Sequence, residues 1–179
     1  MKRILLMCFI LSLSACDQEK PREFVLVGDN WQAITELQGQ GIKVAVEPKQ
    51  GDVVAIGDRL RWQVTASQTG RLWVLSVDEN DEVSLIYPNS VASDNAIMAN
   101  SPRLIPAETA QWDIEVGEPK GKIQLAFVVT PADMTLGQVL PATMANNITT
   151  PPSTQKAIRL NQGSGSQQWG VNQTVITVN

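Results

Sequence analysis

The residues "RLRWQVTASQTGRLWVLSV", 59–77, decide the fold class of this chain. In the first half of this stretch, apolar and polar side chains alternate with the period of two that is typical of a half-buried β-strand. The second half, residues 71–77, carries apolar side chains on both faces, as a central strand covered on each side does. Only residues 68–70 separate the two strands, which predicts a short hairpin loop. The side chains expected to face inward in the first strand are Leu60, Trp62, Val64 and Ala66.

Similar patterns on both sides of this stretch extend the prediction to the whole chain. Residues 78–82 separate the strand at residues 71–77 from a predicted strand at 83–87 and are expected to form a second hairpin loop, since their residues tolerate turn conformations. Residues 117–121, "GEPKG", are expected to turn the chain again. Further strands are predicted from alternation or from β-branched runs at residues 42–46, 110–116, 122–130 and 174–178. We therefore expect an all-β antiparallel β-sandwich of about seven or eight strands, with an Ig-like or related Greek-key arrangement.

One stretch is open to a helical interpretation, "PADMTLGQVLPATMANN" at residues 131–147, but its prolines and Gly137 argue against a helix. Residues 149–154, "TTPPST", and residues 161–168, "NQGSGSQQ", are typical of loops. No internal repeat and no second domain boundary is evident. We expect one β-sandwich domain over residues 31–179.

The N-terminus has the pattern of an export signal. Lys2 and Arg3 precede an apolar stretch that is too short to span a bilayer. The next residues, Leu-Ser-Ala-Cys at 13–16, resemble the lipobox of bacterial lipoprotein precursors. This resemblance implies cleavage of a signal peptide, residues 1–15, and attachment of diacylglycerol and an N-acyl chain to Cys16, which together hold a protein on a membrane. The alternative is an ordinary signal peptide in which this cysteine is incidental.

Asp17, directly after that cysteine, resembles the signal by which Gram-negative lipoproteins avoid transport to the outer membrane. It implies a location on the periplasmic face of the inner membrane, with the outer membrane as the alternative. Residues 16–30 are charged at their start and contain Pro21, so we expect them to form a polar tether. Asp17 can also simply begin that tether.

Composition excludes several classes of function. The chain has 18 acidic and 14 basic residues, and Lys2 and Arg3 leave with the signal peptide, so no nucleic-acid binding is expected. Cys8 also leaves and Cys16 is lipidated, so no disulfide is expected. The absence of histidine excludes histidine-dependent triads and histidine-ligated zinc. We expect no enzyme and no cofactor apart from the lipid; a histidine-free hydrolase using two carboxylates is the alternative.

The acidic hairpin is a weak candidate for a metal site. Asp78, Asn80 and Asp81 offer the oxygen ligands that calcium prefers. The segment lacks the glycine and the distant glutamate of an EF-hand loop, so a solvated hairpin tip is the favoured interpretation.

Four other residues are candidates for a binding surface. Trp31 and Trp169 lie near segment edges and are candidates for an exposed contact, whereas Trp62 and Trp112 are in phase with inward-facing residues and are expected in the core. Asn89 and Asp94 can form a polar recognition loop, although such residues more often cap turns with their own side chains.

Residues 55–89, "AIGDRLRWQVTASQTGRLWVLSVDENDEVSLIYPN", resemble the bacterial domain-of-unknown-function family DUF4384. The features that carry the resemblance are Gly57-Asp58, Gly70 and Tyr87-Pro88-Asn89, followed by Asn95-Ala96-Ile97, Ile105-Pro106 and, more loosely, Trp169-Gly170. The resemblance is strongest over residues 51–130. Where this chain has Asp81, the family commonly has glycine. Aspartate can adopt a positive φ, so we expect the turn to be kept.

The resemblance implies an accessory β-domain, because the family occurs alone in exported proteins or beside kinase, peptidase or envelope-associated modules. It supplies no catalytic residues. The expected function is that of a lipid-anchored periplasmic binding or scaffold module with another envelope protein as its partner. The alternative within binding proteins is an immunity or secretion-system accessory lipoprotein.

Overall fold

The computed structural model describes residues 28–148 and 168–179. The predicted signal peptide, Cys16, Asp17 and most of the predicted tether lie outside these ranges, as do the loops predicted at residues 149–154 and 161–167. Within the described ranges the fold is all-β, as predicted, but with eleven strands. They are β1 Val44–Pro48, β2 Val53–Val54, β3 Arg59–Leu60, β4 Trp62–Ala66, β5 Gly70–Val77, β6 Val83–Tyr87, β7 Ala96–Ile97, β8 Arg103–Ile105, β9 Ile114–Glu115, β10 Gly121–Thr130 and β11 Gly170–Val178.

The strand count exceeds the prediction because runs that look continuous in the sequence pair with different partners. Residues 59–66 form two strands, since Leu60 lies opposite Ile114 of β9 while Trp62 lies opposite Ile105 of β8. Residues 110–116 contribute only the two residues of β9 to a strand.

The larger sheet has the strand order β2-β11-β10-β5-β6, and β7 also pairs with β5. Its register places Phe127 of β10 opposite Val74 of β5 on one side and Asn172 of β11 on the other. The pairs are antiparallel, as predicted, with the exception of the two residues of β2, which pair in parallel with β11. A smaller sheet has the order β1-β4-β8, and β3 pairs with β9.

The hairpin predicted at residues 68–70 is wrong, whereas the one at residues 78–82 is confirmed. Strand β4 lies between β1 and β8 in the smaller sheet, and β5 lies between β10 and β6 in the larger one. Residues 67–69 therefore carry the chain from one sheet to the other. The acidic turn joins β5 and β6, which pair antiparallel.

The main hydrophobic core lies between the two sheets. All four residues predicted to face inward in the first strands, Leu60, Trp62, Val64 and Ala66, are buried there. The Trp62 ring meets Phe127 of β10 edge-on, with a centroid distance of 5.6 Å. Burial of apolar surface, to which these two large rings and the aliphatic residues around them contribute, is the main favourable term in folding.

Helices cover the other face of the larger sheet, so the sandwich has a third layer. They are α1 (Asp29–Glu36), a 3₁₀ helix (Leu136–Gln138) and α2 (Ala142–Asn147). Their apolar side chains pack against strands β5 and β10 in a second buried cluster that includes Ile34, Leu75, Val128, Leu136 and Met144. Helix α1 begins at Asp29, so Asp29 and Asn30 belong to this helix and not to the tether predicted over residues 16–30.

The two helices within residues 131–147 correct the expectation that this stretch is not helical. Pro141 is the N-cap of α2, where a proline disrupts no helical hydrogen bond. Gly137 lies in the 3₁₀ turn, which Thr135 and Gln138 close as a capping box. Pro141 therefore lies at a helix boundary and Gly137 in a single short turn, while Pro131 directly follows β10 and precedes both helices.

Helix α1 is fastened to the β5–β6 hairpin by Asp81. One carboxylate oxygen, Oδ1, accepts a hydrogen bond from the backbone N–H of Trp31 at 2.8 Å, and Oδ2 accepts one from that of Asn30 at 3.1 Å. These N–H groups lack partners within the helix, so the carboxylate acts as its N-terminal cap. Asp81 has a φ of 63°, which confirms the predicted positive φ.

Among the described residues, none of the helices has both the length and the apolar composition required to cross a membrane.

Candidate functional site

A cleft opens where strand β6 ends, and we call it the Tyr87 cleft. It is lined by Tyr87, by the loop that follows β6, by strand β8 and by residues 107–112. Its volume is about 650 Å³. A cavity of this size lies in the range of small-ligand and side-chain binding sites. Its lining is mainly apolar, with Asp94, Arg103, Glu108 and Trp112 among the polar and aromatic members.

Tyr87 forms the floor of the cleft. It is 1% exposed, and its ring is stacked on Trp112 with a centroid distance of 6.2 Å and an interplanar angle of 5°. The Tyr87 hydroxyl donates a hydrogen bond to the main-chain oxygen of Asp94. It accepts one from Nη2 of Arg103 at 2.6 Å. Tyr87 thereby joins the end of β6 to the loop that follows it and to β8.

The Arg103 guanidinium is engaged on several sides. Besides Tyr87, it donates to the main-chain oxygens of Asp94, at 2.7 Å, and of Ala96. It also lies 5.6 Å from the centroid of the Tyr87 ring, within the range of a cation–π contact. Because the main-chain acceptors Asp94 and Ala96 belong to the segment that joins β6 to β8, Arg103 fixes the shape of one wall.

Burial raises the pKa of the Tyr87 phenol, and the positive charge of Arg103 partly opposes that rise. The phenol ordinarily titrates near pH 10. It is therefore protonated at neutral pH, and its role is that of a hydrogen-bonding group rather than a general base.

The rim of the cleft carries two carboxylates. The Asp94 side chain is 81% exposed, with Oδ2 at 3.6 Å from Nη2 of Arg103. Its Oδ1 accepts the backbone N–H of Ala96 at 3.1 Å. Glu108 is exposed and lines the same cleft.

The structure separates the four residues predicted for a binding surface. Asp94 lines the Tyr87 cleft. Asn89 shapes the loop instead, because its Oδ1 accepts the backbone N–H groups of Val91 and Ala92 and its Nδ2 donates to the main-chain oxygen of Ile86. This is the turn-capping alternative.

The two tryptophans of that prediction lie on the helical side of the larger sheet. Trp169 is only 8% exposed, which is contrary to the expected exposed contact, because it belongs to the second buried cluster. Trp31 is half-buried against the same cluster. A second hollow of about 470 Å³, lined by Trp169 and by residues of α1 such as Asp29 and Glu36, lies there.

Three residues of the Tyr87 cleft were not predicted as site residues. Trp112 was expected in the core, but it is half-buried and lines the cleft. Tyr87 was named only as one of the features that carry the family resemblance, and Arg103 was not predicted to have any role. The usable signal was that Tyr87 is the single tyrosine of the chain.

The weak metal candidate is not supported by the geometry of the hairpin. Oδ1 of Asp78 accepts the backbone N–H groups of Asn80 and Glu82, each at 2.9 Å, and Asp81 caps α1. Nowhere in residues 28–148 and 168–179 do three acidic side chains come together in a group suited to a metal ion. The carboxylates build the turn and its contact with the helix.

Comparison with curated proteins and with solved structures gives no match. Several of the family features surround the cleft. Tyr87 is its floor and Ile105 part of its wall, and the main-chain oxygen of Asn95 accepts the backbone N–H of Leu72 in β5 at 2.8 Å. The family model described as "Domain of unknown function (DUF4384)" matches residues 53–133, a range that includes every residue lining the Tyr87 cleft.

Proposed function

We propose that this chain is a lipid-anchored, non-catalytic binding module on the periplasmic face of the inner membrane, and that it presents the Tyr87 cleft to another envelope protein. The observation that carries the proposal is the internal bracing of the cleft. Tyr87, Arg103 and the main chain of the loop after β6 satisfy one another's hydrogen bonds. A cleft that is held open in this way loses little conformational entropy when it binds.

The position of the cleft also supports the proposal. The predicted tether joins the described domain at Gly28, beside Asp81 in the β5–β6 hairpin. Strand β6 runs from this hairpin to Tyr87, and the four steps between its five residues span about 14 Å at roughly 3.4 Å per step. The cleft and the tether are therefore at opposite ends of β6, an arrangement suited to presenting the cleft away from the membrane surface.

Two substitutions test the anchor and its location. Cys16→Ala should release the protein from the membrane fraction while leaving the domain folded, because the thiol that carries the lipid is lost. Asp17→Ser should move the protein to the outer membrane in a density gradient. Firm membrane attachment of Cys16→Ala, or an unchanged gradient position of Asp17→Ser, would contradict the corresponding part of the proposal.

Site-specific crosslinking in intact cells tests the binding function. A photo-crosslinking amino acid at Thr109, which is exposed in the cleft, should capture an envelope protein. The matched control is the same amino acid at Val53, which is 63% exposed on the edge strand β2. Capture of the same proteins with equal yield from both positions would show that the cleft is not the binding site.

A further inference from the structure

We infer that the Tyr87 cleft takes an extended segment of a partner protein that carries a lysine or arginine side chain. This inference rests on the proposed binding function and names the chemistry of its partner. It begins with the charges in the cleft lining, which are those of Asp94, Arg103 and Glu108.

The one cationic side chain among the described residues that line the cleft is already engaged. Arg103 donates to Tyr87 and to two main-chain oxygens, and it lies 3.6 Å from the Asp94 carboxylate. Binding an anion here would compete with these internal acceptors. An acidic peptide, a phosphate or an anionic lipid headgroup is therefore disfavoured.

The two carboxylates have capacity left for a cation. The Asp94 side chain is highly exposed and its contact with Arg103 is long. Glu108 is also exposed and belongs to another part of the lining, residues 107–112. Trp112 adds an aromatic ring, which attracts cations through its π face. A lysine or arginine side chain suits this combination, since its apolar stem can lie along the apolar walls while its charge reaches the rim.

Charges just outside the cleft do not reverse this preference. Arg59 and Arg61 are both paired with Asp113, at nitrogen–oxygen distances of 3.3 Å and 3.7 Å. Neither arginine lines the cleft.

Strand β8 indicates that the partner segment is extended. It is an edge strand of the smaller sheet, paired with β4 on one side. The N–H of Ser67 donates to Lys43, just before β1, whereas the main-chain oxygen of Ala66 accepts from Asn100, in the segment before β8. Successive residues of β4 therefore direct their backbone hydrogen bonds alternately to β1 and to β8. Because Val64 lies opposite Arg103 and Trp62 opposite Ile105, the N–H and C=O groups of Leu104 point away from β4, to the open edge.

Two prolines restrict that edge to a short contact. Pro102 lies two residues before Leu104 and Pro106 two residues after it. An N–H group at either position would also point to the open edge, but proline has no backbone N–H. Among residues 102–106, an incoming strand therefore finds an outward N–H donor only at Leu104, which limits non-specific strand addition. The main-chain contact fixes the register, and the basic side chain supplies the selectivity.

The test uses the purified full chain and two labelled peptides. One is an acetylated and amidated heptapeptide, Gly-Val-Lys-Val-Ser-Val-Gly, and the other has glutamate in place of lysine. Fluorescence anisotropy should show that the lysine peptide binds at least about tenfold more tightly. Its affinity should fall when sodium chloride is raised to about 0.5 M, because exposed charges are then screened.

Substitutions in the chain locate the effect. Glu108→Gln and Asp94→Asn should each weaken binding of the lysine peptide several-fold while leaving the glutamate peptide unchanged or slightly tighter. The matched control is Asp52→Asn, which removes an exposed carboxylate outside the cleft lining and should leave both affinities unchanged. Trp112→Ala should weaken binding of the lysine peptide as well.

Equal binding of the two peptides, or binding of neither, would overturn the inference. These outcomes are distinct from failure of the proposed function. If the crosslinker at Thr109 still captures an envelope protein, the binding function stands and only the basic character of the partner segment is wrong. If Thr109 and Val53 capture alike, the binding function itself fails.

Discussion

Gly28 lies directly against the side chain of Asp81, so closely that a β-carbon on Gly28 would be 2.0 Å from the Asp81 carboxyl carbon. This contact lets the carboxylate reach the N–H groups of Asn30 and Trp31 at the start of α1. The start of α1 and the β5–β6 hairpin are thus held together at Asp81.

Replacing Asp81 with glycine should isolate the value of the cap. Glycine adopts the positive φ of residue 81 without strain, so the turn is kept while the two hydrogen bonds to α1 are lost. We expect Asp81→Gly to lower the free energy of unfolding by about 1 kcal/mol, as loss of an N-cap does. Urea unfolding of the purified chain measures this. Asp81→Asn keeps an acceptor oxygen and should therefore lower the free energy of unfolding by less. An unchanged unfolding midpoint for Asp81→Gly would show that the cap does not stabilise the domain.

Gly28→Ala should be destabilising because of Asp81 and not because of its own backbone, which is extended at φ −138°. The added methyl group must displace the capping carboxylate, at a cost of about 1–3 kcal/mol. In the Asp81→Gly background the same substitution should cost much less. A double-mutant cycle from urea unfolding measures this coupling. Additive effects of the two substitutions would contradict the contact.

Gly70→Ala should be among the most damaging small substitutions in the chain. A β-carbon there would lie 2.3 Å from the main-chain oxygen of Thr130, and the backbone of β10 cannot move aside without disturbing the centre of the larger sheet. We expect a loss of at least about 2 kcal/mol in the free energy of unfolding. Gly117→Ala is the matched control, since a β-carbon there has no atom within 4 Å. Similar unfolding midpoints for the two variants would refute this account of Gly70.

Tyr87 should ionise at a higher pH in the folded chain than in urea. Burial raises its pKa, and as the single tyrosine it is the only source of a tyrosinate signal near 295 nm. The contribution of Tyr87 to stability is fully present below the unfolded pKa near 10. It falls as the pH rises through the folded pKa, because the unfolded chain ionises first.

An absorbance titration with and without urea measures both midpoints. The Tyr87→Phe variant is the control and should show no transition at this wavelength. A folded midpoint at or below that in urea would mean that the phenol is not buried as described.

The all-β fold class and the inward-facing residues of the main strands could be predicted from the sequence. Side chains alternate between the two faces of a strand regardless of which strand it pairs with, so the buried positions show in the local pattern. This is why Leu60, Trp62, Val64 and Ala66 were placed correctly. Strand partners are set by contacts between distant segments, so the hairpin predicted at residues 68–70 failed. The positive φ at Asp81 was predictable from local preference, whereas its cap on a helix fifty residues earlier was not.

The Tyr87 cleft shows the same division. Asp94 could be proposed from its polar loop alone. The cleft also requires Arg103 of β8 and Trp112 beyond it, which meet Tyr87 only after the two sheets have packed. No local pattern marks such residues.

The position of β11 between β2 and β10 has a consequence for how a nascent chain acquires its shape. Until residues 170–178 have emerged, β10 has one open edge and β2 has no neighbour in the larger sheet. Synthesis from the N-terminus delivers this strand after the ten other strands of the described residues. Closure of the sheet must therefore wait for it, and chaperones have that interval in which to keep the incomplete edge from pairing with another copy.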